Sequence, residues 1–190
     1  MDKKSEKDIY RDELDGLRAF AVIAVIINHF NKNILESGYL GVDIFFVISG
    51  YVITSSLINK RFDKFKIFIS SFYIRRIKRL LPALMFYVLP ISLLIWILDP
   101  AAKESLRTGI TSMFGISNLY LFSNAVDYFA NSTELNPFTH TWSLSVEEQF
   151  YLIFPIIFWL SSFKSNKSKV KRNLLLILLP ISTISLIAFI

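Results

Sequence analysis

An all-α, polytopic helical membrane protein is the fold class this sequence predicts, and three observations carry the prediction. Of its 190 residues, 53% are hydrophobic and 15% aromatic, and the mean hydropathy of +0.48 lies above that of ordinary water-soluble domains. The apolar residues fall in runs close to the roughly 18 to 20 that cross a hydrocarbon core. Lys and Arg outnumber Asp and Glu by 21 to 15, and much of the excess lies in two gaps between runs, as expected of loops held on the cytoplasmic side. There is no cysteine, which excludes disulfides, thiolate catalysis and cysteine metal sites.

The chain opens with a polar lead-in, residues 1–13. The first predicted span, residues 14–30, runs LDGLRAFAVIAVIINHF. No small-x-small cleavage site follows it, so it is read as a retained helix rather than a signal peptide. Asp15 stands three residues before Arg18, within reach across one helical turn. His29 stands eleven positions after Arg18, which returns the chain to nearly the same azimuth about 16 Å further along. Both polar side chains therefore share one face, either turned toward a functional interior or set in the two interfaces.

The second span, residues 38–58, holds Gly41 and Gly50, which suit close helix approach, and Asp43 in its first turn, which also fits a capping acid. Residues 59–79 are predicted as a loop, and Lys60, Arg61, Lys64, Lys66, Arg75, Arg76, Lys78 and Arg79 make it cytoplasmic, with the amino terminus on the same side. Span three covers residues 80–98, with Pro82 in its first turn and Pro90 as a kink.

Residues 99–142 are apolar in part but dotted with Thr, Ser, Gly and Asn. A full span there would carry the basic stretch at 164–172 to the outside. The prediction is instead an external element that dips partly into the membrane. Spans four and five are predicted at 143–163 and 174–190, about five spans in all, with Ser145 and Glu148 as a capping box near the start of span four. The sequence stops within span five, and the expectation is the amino-terminal part of a single membrane domain, 1–190, in a longer protein.

This topology sorts the polar residues into two layers. Asp15, Arg18, Arg75, Arg76, Lys78 and Arg79 fall at the inner face, and His29, Asp43, His140, Glu147 and Glu148 at the outer face. Inner arginines suit phosphate groups, or they fix topology and bind anionic lipid. Outer histidines and carboxylates suit acid/base work on a hydroxyl, with Glu147 the better candidate if Glu148 caps a helix. Trp142 and Tyr151 fit interface anchors. No G-x-S-x-G elbow or H-E-x-x-H pattern is present, and H-x-x-x-x-D fails, because Ile34 and Ser145 stand five residues after His29 and His140.

Four motifs, in order, resemble the membrane acyltransferase-3 family: LDGLRAFAVIAVIINHF, GYLGVDIFFVISGYVI, FYIRRIKRLLP and HTWSLSVEEQFYLIFP. The resemblance implies an integral membrane O-acyltransferase of the bacterial inner membrane. It implies acyl-coenzyme A as donor, acetyl-coenzyme A foremost, and a carbohydrate of a cell-envelope polysaccharide as acceptor. The lipid bilayer is its setting, and neither metal nor nucleic acid is implied. The family's arginine and histidine fall on Arg18 and His29, its aspartate after Gly-Val on Asp43, its basic element on Arg75, Arg76, Arg79 and Pro82, and its acid on Glu147. By this resemblance His29, Asp43 and Glu147 are catalytic candidates, His29 as general base or transient acyl carrier. Arg18, Arg75, Arg76 and Arg79 are donor-binding candidates. Family members carry more spans than this chain, some followed by an extracellular hydrolase-like domain. Two other readings fit the same residues: a transporter or flippase subunit whose path they line, and an inactive truncated product.

Overall fold

A computed structural model describes residues 12–58, 64–99, 102–125, 136–162 and 167–189. The lead-in at 1–11, the basic residues Lys60 and Arg61, and Lys164 lie outside the described residues. Among the described residues the chain is helical throughout, with no strand. It divides into two units, residues 1–60 and 61–190.

The first unit is a helical hairpin. Helix α1, Asp12–Phe30, is joined through a 3₁₀ turn, Glu36–Leu40, to α2, Gly41–Ile58. Small residues set how closely the two approach: a Cβ added at Gly41 would overlap the carbonyl oxygen of Ala21, and one at Gly38 that of Ala24. Gly50, expected to play the same part, faces open space among the described residues. The connection is pinned by Asn28, whose Nδ2 donates to the carbonyls of Leu35 at 2.8 Å and Glu36 at 3.1 Å.

The second unit is built on α3, Phe65–Leu98, and α6, Thr141–Ser162, which run antiparallel. Aromatic residues match them along their length. Phe65 packs against Trp159 and Phe68 against Phe158. Further along, the Tyr73 hydroxyl donates to the Leu152 carbonyl at 2.9 Å and Tyr87 to that of Pro137 at 2.6 Å. Helix α7, Lys167–Phe189, follows α6, with Asn173 Nδ2 donating to the Ser161 carbonyl at 3.1 Å.

Between α3 and α6 in sequence, α4, Lys103–Met113, and α5, Ser117–Ala125, form a second hairpin. At about 16 and 13 Å, neither helix is long enough to cross a bilayer. The Tyr120 hydroxyl and Asn124 Nδ2 both reach Glu104 Oε2, at 2.5 and 3.0 Å, so α5 returns beside the start of α4. The turn is made at Gly115, with φ +67°, and a Cβ there would sit 2.5 Å from Glu148 Oε2. Both the left-handed backbone and the space require glycine.

Hydroxyls bind this hairpin to α6. Ser112 Oγ and Thr141 Oγ1 lie 2.5 Å apart and Ser117 Oγ and Ser145 Oγ 2.7 Å apart, and Thr141 Oγ1 donates to Ser117 Oγ at 3.0 Å. All four residues are buried. Asn118 and Gln149 exchange amide hydrogen bonds at 3.2 and 2.8 Å. Within the element expected at 99–142, the described residues therefore form a short hairpin fastened to a longer helix by polar side chains.

Among the described residues, four helical segments are long and apolar enough to cross a membrane: Glu36–Ile58, Phe65–Leu98, Thr141–Ser162 and Lys169–Ala188. Helix α1 occupies the first predicted span but is not among them, because Asp12, Glu13, Asp15 and Arg18 dilute its apolar run. Phe86, Trp96, Leu98, Ile184 and Ile187 point outward and are exposed, as lipid-facing side chains are.

Two boundaries differ from expectation. The predicted loop at 59–79 is helical from Phe65, so the arginines ride on an extension of α3. That stretch has no Gly or Pro, and Phe68 and Phe72 bury one face of it on α6. Helix α6 begins at Thr141, where the backbone turns over Phe138 and Thr139, rather than at Ser145. Ser145 lies a full turn inside and bonds Ser117, and Glu148 reaches the hairpin tip, so the two do not form a capping box.

Candidate functional site

In the first unit, Arg18 and His29 lie on one uninterrupted helix, so the shared face follows from its geometry. Arg18 Nη1 is 3.3 Å from Asp15 Oδ1, the pairing expected from their spacing. Arg18 Nε is buried without a hydrogen-bond partner among the described residues. His29 is exposed, with Nδ1 2.8 Å from the Val25 carbonyl. A carbonyl only accepts, so in the neutral ring Nδ1 carries the hydrogen and Nε2 the lone pair. Asp43 is exposed in the first turn of α2, where the helix dipole favours its charge.

In the second unit, Arg76 projects from α3 toward α6. Its Cζ lies 5.0 Å from the ring centroid of Tyr151 and 5.5 Å from that of Phe72. Contacts of this kind contribute about 0.5 to 2 kcal/mol, more as water is excluded. The Tyr151 ring is buried, and its hydroxyl donates to Glu147 Oε1, one turn back on α6. Glu147 itself is only 8% exposed, an acid withdrawn from solvent beside a half-buried arginine. Arg75 and Arg79 flank Arg76 on α3 and are exposed, as is His140 before α6.

Glu147 and Arg76 thus stand at one level of the helix pair, not in separate outer and inner layers. The reason is register: α6 meets α3 beside Tyr87, well inside the apolar half of α3, so its second turn lies opposite the arginines. Tyr151 is no interface anchor, and its partners decide that. A tyrosine four residues after an acid on one helix was the available signal, since side chains at that spacing meet. Asn28, Asn118 and Gln149 were not foreseen either, because their partners are backbone or distant in sequence. Among the described residues, no group of three His, Asp or Glu side chains converges to hold a metal ion.

Comparison with known proteins gives a consistent result. The Acyltransferase domain family matches residues 11–190. "O-acetyltransferase OatA" of Staphylococcus aureus, strains NCTC 8325 / PS 47 and COL, is 45% identical over 180 residues, covering 93% of this chain and 29% of the relative. "Putative O-acetyltransferase SAS0844" of strain MSSA476 is 43% identical over 155 residues, covering 81% of this chain and 26% of the relative. The chain therefore spans less than a third of the length of these relatives. No solved structure matches it.

Proposed function

The chain belongs to the acyltransferase-3 family, and from that premise we propose that it serves a transmembrane O-acyltransferase, moving an acetyl or similar acyl group from cytoplasmic acyl-coenzyme A to a hydroxyl of a cell-envelope polysaccharide. The observation that carries this reading beyond the family is the approach of Arg76 and buried Glu147 on the pair α3 and α6. A cation and an acid withdrawn among apolar helices are expensive, and such residues mark functional sites. The names of the relatives support acetyl as the group moved.

Guanidinium groups recognise phosphate oxygens through paired hydrogen bonds, so Arg75, Arg76 and Arg79 of the second unit are proposed to receive the donor's phosphates, and Arg18, taken by itself in the first unit, is likewise proposed as a donor-binding residue. His29 is proposed to act at the acyl group. As general base, Nε2 takes the proton of the acceptor hydroxyl, whose oxygen bonds to the thioester carbonyl carbon. The carbon–sulfur bond breaks, and coenzyme A leaves as a thiolate that the imidazolium protonates. As acyl carrier, Nε2 bonds to the carbonyl carbon itself, releases coenzyme A and then yields the acyl group to the hydroxyl. Asp43 and Glu147 are the carboxylates proposed to hold or accept protons in these steps. Lys64, Lys66, Lys169, Lys171 and Arg172 near the starts of α3 and α7 support a cytoplasmic side there and an amino terminus on that side of the bacterial inner membrane.

Membranes carrying the full-length gene product and supplied with labelled acetyl-coenzyme A are expected to label an envelope polysaccharide. His29→Ala at equal protein level is expected to lower the rate by about a hundredfold or more, the range for removal of an acid/base or nucleophilic group. Labelling by the variant at the wild-type rate would overturn the role of His29.

A further inference from the structure

We propose that Tyr151 is the positioning residue that makes one site of Arg76 and Glu147, its hydroxyl aiming the carboxylate and its ring holding the guanidinium. The inference rests on the roles proposed above for those two residues.

Each contact has its own physical ground. Glu147 is almost wholly buried, and a buried carboxylate needs hydrogen-bond donors, of which the Tyr151 hydroxyl is one. The two residues are four apart on α6, a separation that stacks side chains on one helical face, so the pairing is enforced by the helix itself. Arg76 comes from the other helix and lies 5.0 Å over the same ring, while Phe72 meets the ring edge-on at 6.5 Å and lies 5.5 Å from the guanidinium. The aromatic pair therefore holds the guanidinium without consuming its hydrogen-bond donors, which leaves them for an anionic ligand. A direct Arg76–Glu147 ion pair would have spent those donors on the protein's own acid. Instead the two charges meet the same tyrosine, the guanidinium at its ring and the carboxylate at its hydroxyl.

Hydroxyl and ring are separable by mutation. Tyr151→Phe keeps the ring and removes the donor to Glu147, and Tyr151→Leu removes both. In membranes carrying the full-length gene product, Tyr151→Phe is expected to lower kcat about tenfold or more with the KM for acetyl-coenzyme A within about twofold of wild type. Tyr151→Leu is expected to lower kcat similarly and also to raise the donor KM severalfold. Because the hydroxyl acts through Glu147, Tyr151→Phe combined with Glu147→Gln is expected to lose no more rate than Glu147→Gln alone.

Tyr151→Phe at the wild-type rate beside an inactive Glu147→Gln would overturn the positioning role and leave the role of Glu147 standing. Losses that multiply in the double variant would also overturn it. Wild-type activity in Glu147→Gln would remove the role of Glu147 and this inference with it. Membrane protein levels measured for every variant separate lost folding from lost rate, and the donor KM reads a geometry that a merely stabilising tyrosine would leave unchanged.

Discussion

Asn28 is a side chain whose removal isolates one interaction. Buried in α1, it donates to two carbonyls of the link into the 3₁₀ turn. Asn28→Ala leaves both acceptors without that partner and is expected to destabilise the first unit by about 1 to 3 kcal/mol. Thermal denaturation in detergent would register this as a lower midpoint, and an unchanged midpoint would show that the link is held elsewhere. Residues of this kind were hidden in the sequence, since an asparagine bonded to backbone leaves no spacing to detect. The Asp15–Arg18 pair was legible because both members lie on one helix three residues apart. Glu147 was legible as a candidate, but its partners were not: Arg76 is distant in sequence, and the tyrosine between them has the composition of a membrane-interface residue.

At the scale of elements, the apolar runs gave the long helices, and their ends were decided by packing. Basic residues at 75–79 suggested a loop, yet Arg and Lys are good helix formers, and the Phe65, Phe68 and Phe72 spacing already marked a helical face. Composition alone predicts 99–142 as an external stretch, and the two helices and hydroxyl seam of the α4–α5 hairpin rest on contacts between segments far apart in sequence. Its tip supplies the sharpest test. Gly115→Ala forces a side chain into a left-handed backbone and against Glu148, and is expected to destabilise the hairpin by about 1 to 3 kcal/mol. Limited proteolysis in detergent would show faster cleavage between α4 and α5. Wild-type resistance would mean that the turn is not packed on α6.

For the whole molecule, the expected arrangement is testable without background because the chain has no cysteine of its own. Helix α3 is about 51 Å long at 1.5 Å per residue, so its basic start extends beyond a hydrocarbon core of about 30 Å. Lys64→Cys and Lys171→Cys are expected to react with an impermeant thiol reagent only from the cytoplasmic side, and Lys103→Cys only from the outside. Reaction of Lys64→Cys and Lys103→Cys from the same side would contradict the crossing of α3. That measurement concerns topology, and the direction of acyl transfer remains the larger claim.

The most direct test of that claim is sidedness of the donor. Sealed vesicles carrying the full-length gene product would be given labelled acetyl-coenzyme A, which does not cross membranes, at one face only. Inverted vesicles, with the cytoplasmic face outward, are expected to label polysaccharide inside the lumen, and right-side-out vesicles given the same donor externally are expected to label none. Equal labelling in the right-side-out vesicles would contradict a cytoplasmic donor site and with it the proposed passage of the acyl group across the membrane.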